Sequence, residues 1–248
     1  MVKILAVQTT LTVESNEQLN RDVWRMVLMG DCGAISAPGQ FINLKLDGLF
    51  LRRPISVYDW TEDSVTIVYK VVGKGTEQMS ATAPGARLDV LTGLGNGFTA
   101  LTEHEHPVLI GGGVGVPPLY GLAKDMLKKG MKPSAILGFN TKDDVILADA
   151  FRALGIDVHL ATASGEVGVK GFVTDVLKNL PCDYFYACGP IPMLKAIAAT
   201  TDAAGQMSFE ERMGCGFGAC MGCTVQTKNG YKRVCKDGPV LLREEVVW

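Results

Sequence analysis

Charge of one sign, a secretory leader, long apolar runs and histidine clusters are all missing from this sequence. The 24 basic residues nearly cancel the 26 acidic ones, leaving a formal charge of −2. With no basic stripe, nothing points to nucleic acid as a partner. Met1-Val2-Lys3 leads directly into a strand-like run without the apolar core of a secretory leader. The longest uncharged stretch, Pro107 to Ala123, holds five glycines and three prolines. It is too short to span a bilayer as a helix, so no membrane insertion is expected. The three histidines, His104, His106 and His159, share no ligand spacing with one another or with the cysteines. Internal repeats and low-complexity tracts are also missing. A hydrophobic fraction of 47% and a charged fraction of 20% describe an ordinary globular chain, long enough for one large or two modest cores.

Cysteine is abundant by contrast. Of seven, Cys215, Cys220, Cys223 and Cys235 read C-x4-C-x2-C-x11-C, within a glycine-studded RMGCGFGACMGC run. That order is the plant-type spacing of a [2Fe–2S] cluster. The glycines keep side chains clear and let backbone N–H groups turn toward sulfur. Structural zinc is the rival, but it prefers two short C-x2-4-C knuckles, and only Cys220 and Cys223 have that spacing. An odd cysteine count with four in one loop is not a disulfide framework. Cys32 and Cys182 read as buried or free thiols, and a reducing, cytoplasmic setting is expected.

Three textures follow along the chain, placing domains at 1–100, 101–207 and 208–248. Up to about residue 100, short strand-like runs alternate with turn signals. Candidates are Lys3–Val7, Val23–Met29, Phe41–Leu46, Ile55–Trp60, Ser64–Val72 and Arg87–Leu91. Six short strands predict a small antiparallel barrel. From Pro107 the pattern turns to strand–helix alternation: Val108–Ile110, Ala135–Phe139, Val158–Ala161 and Tyr184–Ala187 each precede a helical stretch. These helical stretches fall near Leu119–Lys129, Asp144–Leu154, Phe172–Leu180 and Met193–Ala204. This predicts an open parallel α/β sheet with helices on both faces. A last strand near Met207–Glu210 delivers the chain to the cysteine loop, a segment too short to form a core alone.

Several motifs could hold phosphates. Arg53-Pro54-Ile55-Ser56 offers a guanidinium fork and a hydroxyl suited to a pyrophosphate, although a solvated arginine beside a strand has the same sequence. Val68-Tyr69-Lys70 leads into Gly73-Lys74-Gly75-Thr76, either an N–H-bearing phosphate turn or a plain β-turn. Gly111-Gly112-Gly113-Val114-Gly115 follows a strand and opens a helix, where a dinucleotide could dock. Pro118 stands in place of the third glycine of G-x-G-x-x-G. Cys188-Gly189-Pro190 ends another strand at the carboxyl edge where ligands sit, and the thiol either approaches a nicotinamide or fills space. The Asp143-Asp144 pair hints at NAD over NADP.

The order of these pieces resembles the ferredoxin–NADP reductase superfamily with a C-terminal [2Fe–2S] loop. More narrowly, it resembles the electron-transfer subunits of NAD-linked (type 1B) dihydroorotate dehydrogenases. The resemblance covers essentially the whole chain and is carried most specifically by RRPIS, by GLGNGF at 93–98, and by GCGFGACMGCTVQT with YKRVCKDGPV. It implies FAD at Arg53–Ser56, Val68–Lys70 and Gly75-Thr76, and NAD(H) at Gly111, Gly112, Gly113 and Gly115 and near Cys188 and Gly189. Many superfamily members place a tyrosine against the flavin where Ile55 stands here. The resemblance also implies an FMN-containing catalytic partner in a two-plus-two heterotetramer. Electrons from dihydroorotate would pass through the cluster and FAD to NAD+, in pyrimidine biosynthesis, with no side-chain acid or base needed in this chain. Related FAD/[2Fe–2S] subunits serve sulfide, sulfite or ferredoxin-linked reductases. A zinc-stapled nucleotide-binding regulator is the reading from another class.

Overall fold

The computed structural model describes residues 6–248. The first half closes into a six-stranded antiparallel barrel. Its strands are β1 (Val7–Gln18), β2 (Val23–Met29), β3 (Phe41–Leu44), β4 (Arg53–Trp60), β5 (Ser64–Lys70) and β6 (Arg87–Leu94), in spatial order β1-β2-β5-β4-β3-β6. Closure leaves no free edge. Alternation sends Leu11, Val13, Met26, Leu28, Ile42, Val65 and Ile67 inward. The first strand departs from the sequence expectation. Residues 3–5 of the expected Lys3–Val7 lie outside the described residues, and the described strand runs from Val7 to Gln18. A helix that the turn signals had hidden, α1 (Lys74–Ser80), follows β5.

The second half is a seven-stranded sheet. After α1 come β7 (Pro107–Gly112), α2 (Pro117–Lys128), β8 (Ser134–Phe139), α3 (Ala148–Ala153), β9 (Asp157–Thr162), β10 (Val169–Lys170), α4 (Val173–Leu177), β11 (Tyr184–Cys188), α5 (Ile191–Thr200) and β12 (Ala204–Ser208). The spatial order is β10-β9-β8-β7-β11-β12, all parallel. Strands β7 and β11 are buried along their whole lengths, as expected for a parallel sheet covered on both faces. α2 and α3 pack on one face, while α4 and α5 pack on the other. Two prolines open α2 where N–H groups are spare, and Leu119, Leu122, Ala123 and Met126 form its buried stripe. Gly130, at φ +77°, ends it in a Schellman turn in which the Met131 N–H reaches the Met126 carbonyl at 3.0 Å.

The chain then leaves the sheet for the cysteine loop, forms a hairpin from β13 (Thr224–Thr227) and β14 (Gly230–Arg233), and returns as β15 (Val240–Leu242). β15 pairs antiparallel with β12 as a seventh strand, which the sequence reading did not foresee. The Phe209 N–H donates to the Pro239 carbonyl at 2.9 Å, so the excursion is closed at its base. Among the described residues no helix is long and apolar enough to cross a membrane.

Candidate functional site: a two-walled cleft beside a cysteine loop

A cleft of about 790 Å³ lies between barrel and sheet. Its barrel wall carries Phe41, Pro54, Ser56 and Lys70, and its sheet wall carries Gly112, Gly113, Gly115, Cys188 and Gly189. The two motif sets, more than forty residues apart in sequence, therefore face one space. Register explains the barrel wall: Ser56 sits opposite Phe41, so both point into the cleft, whereas Ile55 sits opposite Ile42 and packs on the barrel core. Ile55 thus does not replace a flavin-facing tyrosine with its own side chain. Tyr69 also turns inward, donating its hydroxyl to Asn16 Oδ1 at 2.9 Å, and Val68 is buried. Neither of these two residues lines the cleft; Lys70 beside them does.

Arg53 and Arg52 have different tasks. Arg52 is held by Asp89, with Nη2 to Oδ1 at 2.9 Å and Nη1 to the Asp89 carbonyl at 3.0 Å. Arg53 makes no ion pair among the described residues. Its Nη1 donates to the Leu51 carbonyl, and its guanidinium lies across Gly75 where a Cβ would collide with it. That glycine is therefore a seat for the arginine. The Thr76 hydroxyl is engaged within its own turn. The Thr76 Oγ1 accepts from Val72 N at 2.8 Å and Gly73 N at 3.2 Å and donates to the Gly73 carbonyl at 3.0 Å, closing the first turn of α1.

On the sheet wall, Gly111 packs beneath Val116 and Leu119, leaving Gly112 to Gly115 at the surface of the cleft. A Cβ on Gly115 would strike the Cys188 carbonyl, so the glycine turn is pressed directly against the end of β11. The Cys188 thiol is pushed up to about 12, first by burial and against the hydrogen bond from Ser208, and stays protonated. Asp144 lines the cleft, but its carboxylate already accepts from Thr141 N at 3.0 Å and Oγ1 at 2.8 Å. Cleft residues that no motif announced include Asp22, paired with Lys70 at 3.0 Å, together with Ser208, Glu210 and Met213 at the exit toward the cysteine loop. Their only sequence signal was the position of Ser208 and Glu210 at the carboxyl end of a parallel strand.

The four cysteines come together around their loop in two pairs, Cys215 beside Cys220 and Cys223 beside Cys235. Cys223 and Cys235 are buried and Cys220 is exposed. Backbone N–H groups are aimed at the sulfurs: Ala219 to Cys215 at 3.2 Å, Cys220 to Cys215 at 3.4 Å, Gly222 to Cys220 at 3.5 Å and Cys235 to Cys223 at 3.4 Å. Burial opposes ionisation of Cys215, but the donors from Cys220, Phe217 and Ala219 outweigh it and bring the thiol down to about 6. Among the described residues no three His, Cys, Asp or Glu side chains converge as a single metal ion requires. Paired cysteine sulfurs with N–H donors suit a binuclear cluster, in which each iron would take two sulfurs. His104 stacks on Tyr184, and His159 pairs with Asp157, so neither approaches the thiols. Cys32 and Cys182 are raised to about 11 by burial, consistent with inert thiols.

GLGNGF is the dock for this loop. Asn96 Nδ2 donates to the Lys236 and Asp237 carbonyls at 3.2 and 3.1 Å, and Asn96 N donates to the Gly238 carbonyl at 2.6 Å. From β3, Asn43 Nδ2 reaches the Cys215 carbonyl at 3.3 Å. Arg233 ties the loop's two ends by donating to the Gly218 carbonyl at 3.0 Å while paired with Asp237.

A closed barrel, a parallel sheet, a cleft between them and a cysteine loop at its exit define the ferredoxin reductase class with an appended iron–sulfur segment. A solved structure of the NADH-dependent reduced ferredoxin–NADP oxidoreductase, studied for flavin-based electron bifurcation, superposes with a TM-score of 0.88 at 30% identity, covering 96% of this chain and 90% of that one. A Neisseria gonorrhoeae ferredoxin NADP+ reductase solved with FAD and NADP shares the fold at a TM-score of 0.68 and 16% identity, over 78% of this chain and 89% of that one. Residues 210–247 match the family described as the iron–sulfur cluster binding domain of dihydroorotate dehydrogenase B. The dihydroorotate dehydrogenase B (NAD(+)) electron transfer subunit of Fusobacterium nucleatum is 45% identical over 95% of this chain and 96% of its own. That of Shouchella clausii is 42% identical over 97% and 98%. This chain belongs to the family of dihydroorotate dehydrogenase B electron transfer subunits.

Proposed function

We propose that this chain accepts electrons released when a catalytic partner oxidises dihydroorotate and delivers them to NAD+, using FAD in the cleft and a [2Fe–2S] cluster on its cysteines. The observation that carries this reading is the single cleft whose two walls hold both nucleotide motifs and whose exit, Glu210 to Met213, begins the cysteine loop. Bound FAD would supply the exchange between single electrons on iron and a hydride on nicotinamide. Arg53, seated on Gly75, would bind its pyrophosphate, and Pro54, Ser56 and Lys70 would line its ring and ribityl side. Backbone at Val68, Tyr69, Gly75 and Thr76 would continue that wall past the cleft.

The nicotinamide nucleotide would lie along Gly112, Gly113 and Gly115, with Gly111 supporting the turn from beneath, and reach Cys188 and Gly189. Asp22, Asp144, Glu210 and Glu211 face the cleft against Lys70, which disfavours the extra phosphate of NADP. Cys215, Cys220, Cys223 and Cys235 would hold the cluster. Beside the exposed Cys220 stand Phe217 and Met221, also exposed, a surface suited to docking the FMN-containing catalytic subunit.

The same reading assigns residues 1–100 to flavin, 101–207 to NAD and 208–248 to the cluster, in a cytoplasmic two-plus-two heterotetramer. The seven free thiols accord with a reducing setting. The test is a visible spectrum of anaerobically purified protein with iron, zinc and flavin assayed together. About two irons and one FAD per chain are expected; zinc without flavin would overturn the reading. Adding the dihydroorotate-oxidising subunit should then start NAD+ reduction, and light scattering on the mixture tests the stoichiometry.

A further inference from the structure

Both walls of the cleft continue, away from it, into one tight contact between the end of β4 and the second turn of α2. β4 begins with the cleft residues Pro54 and Ser56 and ends with Tyr58, Asp59 and Trp60. α2 leaves the glycine turn of the opposite wall and carries Tyr120, Gly121 and Lys124. The rings of Tyr58 and Tyr120 stack at 4.5 Å between centroids with planes 17° apart. Lys124 Nζ lies 2.7 Å from both oxygens of Asp59 and 5.9 Å from the Tyr120 ring centroid. Trp60 rests on the bare backbone of Gly121, where a Cβ would come within 3.0 Å of its Cζ3. Tyr120 in turn meets Phe151 of α3 edge-on at 5.5 Å, anchoring the contact in the core of the sheet.

Resting on the functional reading above, we infer that Tyr58, Asp59, Tyr120, Gly121 and Lys124 form a positioning clamp that fixes the flavin wall against the nicotinamide wall. The lever arms are short and rigid. Tyr58 lies two strand positions beyond Ser56, about 7 Å; Tyr120 lies five positions of tight turn and helix beyond Gly115, about 7–8 Å at helical rise. A tilt at the clamp therefore reaches the facing edges of the cleft at similar amplitude. The Asp59–Lys124 pair is about one-third exposed on both sides, which makes it a weak source of stability but a directional one. Stacked rings resist sliding, and the bidentate lysine contact resists rotation about the stack. Hydride transfer between NADH and flavin needs near-contact alignment, so a displacement of about 1 Å remote from the reacting atoms can cost about a hundredfold.

The test uses the full complex carrying FAD and cluster, with Lys124→Met, Asp59→Asn, Tyr120→Leu and the charge-exchanged pair Asp59→Lys/Lys124→Asp. FAD and iron content, and NAD+ affinity by calorimetry, should stay within about twofold of wild type, since each nucleotide keeps its own wall. Flavin reduction by NADH, two electrons and one proton moving as hydride and leaving NAD+, should slow about ten- to a hundredfold in anaerobic stopped flow. Amide exchange at residues 55–57 and 113–116 should rise in Lys124→Met and fall back in the charge-exchanged pair, with hydride transfer recovering in parallel. Unchanged hydride transfer in both Lys124→Met and Tyr120→Leu would overturn the clamp alone. So would slowing that merely tracks lost FAD or weaker NAD+ binding. Wild-type protein without FAD would overturn the clamp and the functional reading together.

Discussion

The parallel sheet and the cysteine loop are held together by opposite means. β7 and β11 are buried residue for residue, and their neighbours bury Ile136, Leu137 and Met207 completely, so the sheet is stabilised by apolar area. In the loop between Glu210 and Gly222 only Gly216 and Gly218 are buried, and neither has a side chain to pack. What fixes that loop and the Cys235 segment beside it is a set of directed polar contacts: Asn43 and Arg233 to carbonyls of the loop, Asn96 to the Lys236 and Asp237 carbonyls, and backbone N–H groups to sulfur. A core tolerates small losses spread over many contacts, whereas a ligand-fastened loop depends on each one. Electron transfer gives a reason for the arrangement, since a cluster packed deep in apolar core would be out of a partner's reach.

Removing a thiolate should separate the two regions most sharply. Cys220→Ser removes the exposed thiol of the Cys215–Cys220 pair while leaving the cleft intact. The expected result is loss of the iron absorbance and electron paramagnetic signal, proteolytic sensitivity between residues 211 and 239, and undiminished FAD. Full iron signal in this variant would show that Cys220 is not a ligand. Arg53→Ala acts in the other direction, on the barrel wall alone. A charge-assisted hydrogen bond to a phosphate contributes about 1.5–3 kcal/mol, so FAD should dissociate about ten- to a hundredfold more readily. The cluster spectrum should be unaltered, and flavin content after gel filtration decides the matter.

The same contrast governs what could be read from the sequence. Cysteine spacing was legible because ligand chemistry constrains residue type and order locally. The parallel strands were legible as unbroken apolar runs. The stretch of β1 beyond Val7 was missed because only Leu11 and Val13 are fully buried there, and the Thr, Glu and Ser around them carry little strand signal. α1 was hidden by Gly73 and Gly75, which read as a turn. The reason for Gly75 is a tertiary contact with Arg53, twenty-two positions earlier, and no local rule shows it. The loop's anchors were illegible for the same reason: Asn43 and Cys215 lie 172 residues apart, and Asn96 is 140 from Lys236. Pairings of that range are set by the closed fold, not by neighbouring residues.

Asn96→Ala probes the loop's fastening without touching a ligand. Two side-chain hydrogen bonds to the Lys236 and Asp237 carbonyls disappear, each contributing about 1 kcal/mol, while the backbone bond from Asn96 N to Gly238 remains. The cluster should assemble, but iron should be lost to a chelator several-fold faster than in wild type, with FAD retention unaffected. Equal rates of iron loss would mean that the backbone ladder alone secures the loop.

The smallest effect is expected from Arg52→Ala, and its value lies in the comparison with Arg53 next door. Arg52 faces Asp89 across a pair still reached by solvent, 20% and 31% exposed, which is worth about 1 kcal/mol. It also donates to the carbonyls of Asp89 and, at 3.4 Å, Asn43, and it is Asn43 whose side chain reaches the Cys215 carbonyl. The substitution should therefore lower thermal stability slightly and speed iron loss marginally through Asn43, leaving flavin affinity where it was. If FAD instead weakened as much as in Arg53→Ala, the division between a structural Arg52 and a ligand-facing Arg53 would be wrong. Both guanidinium groups would then belong to the flavin wall, and the seat that Gly75 provides would not be what distinguishes them.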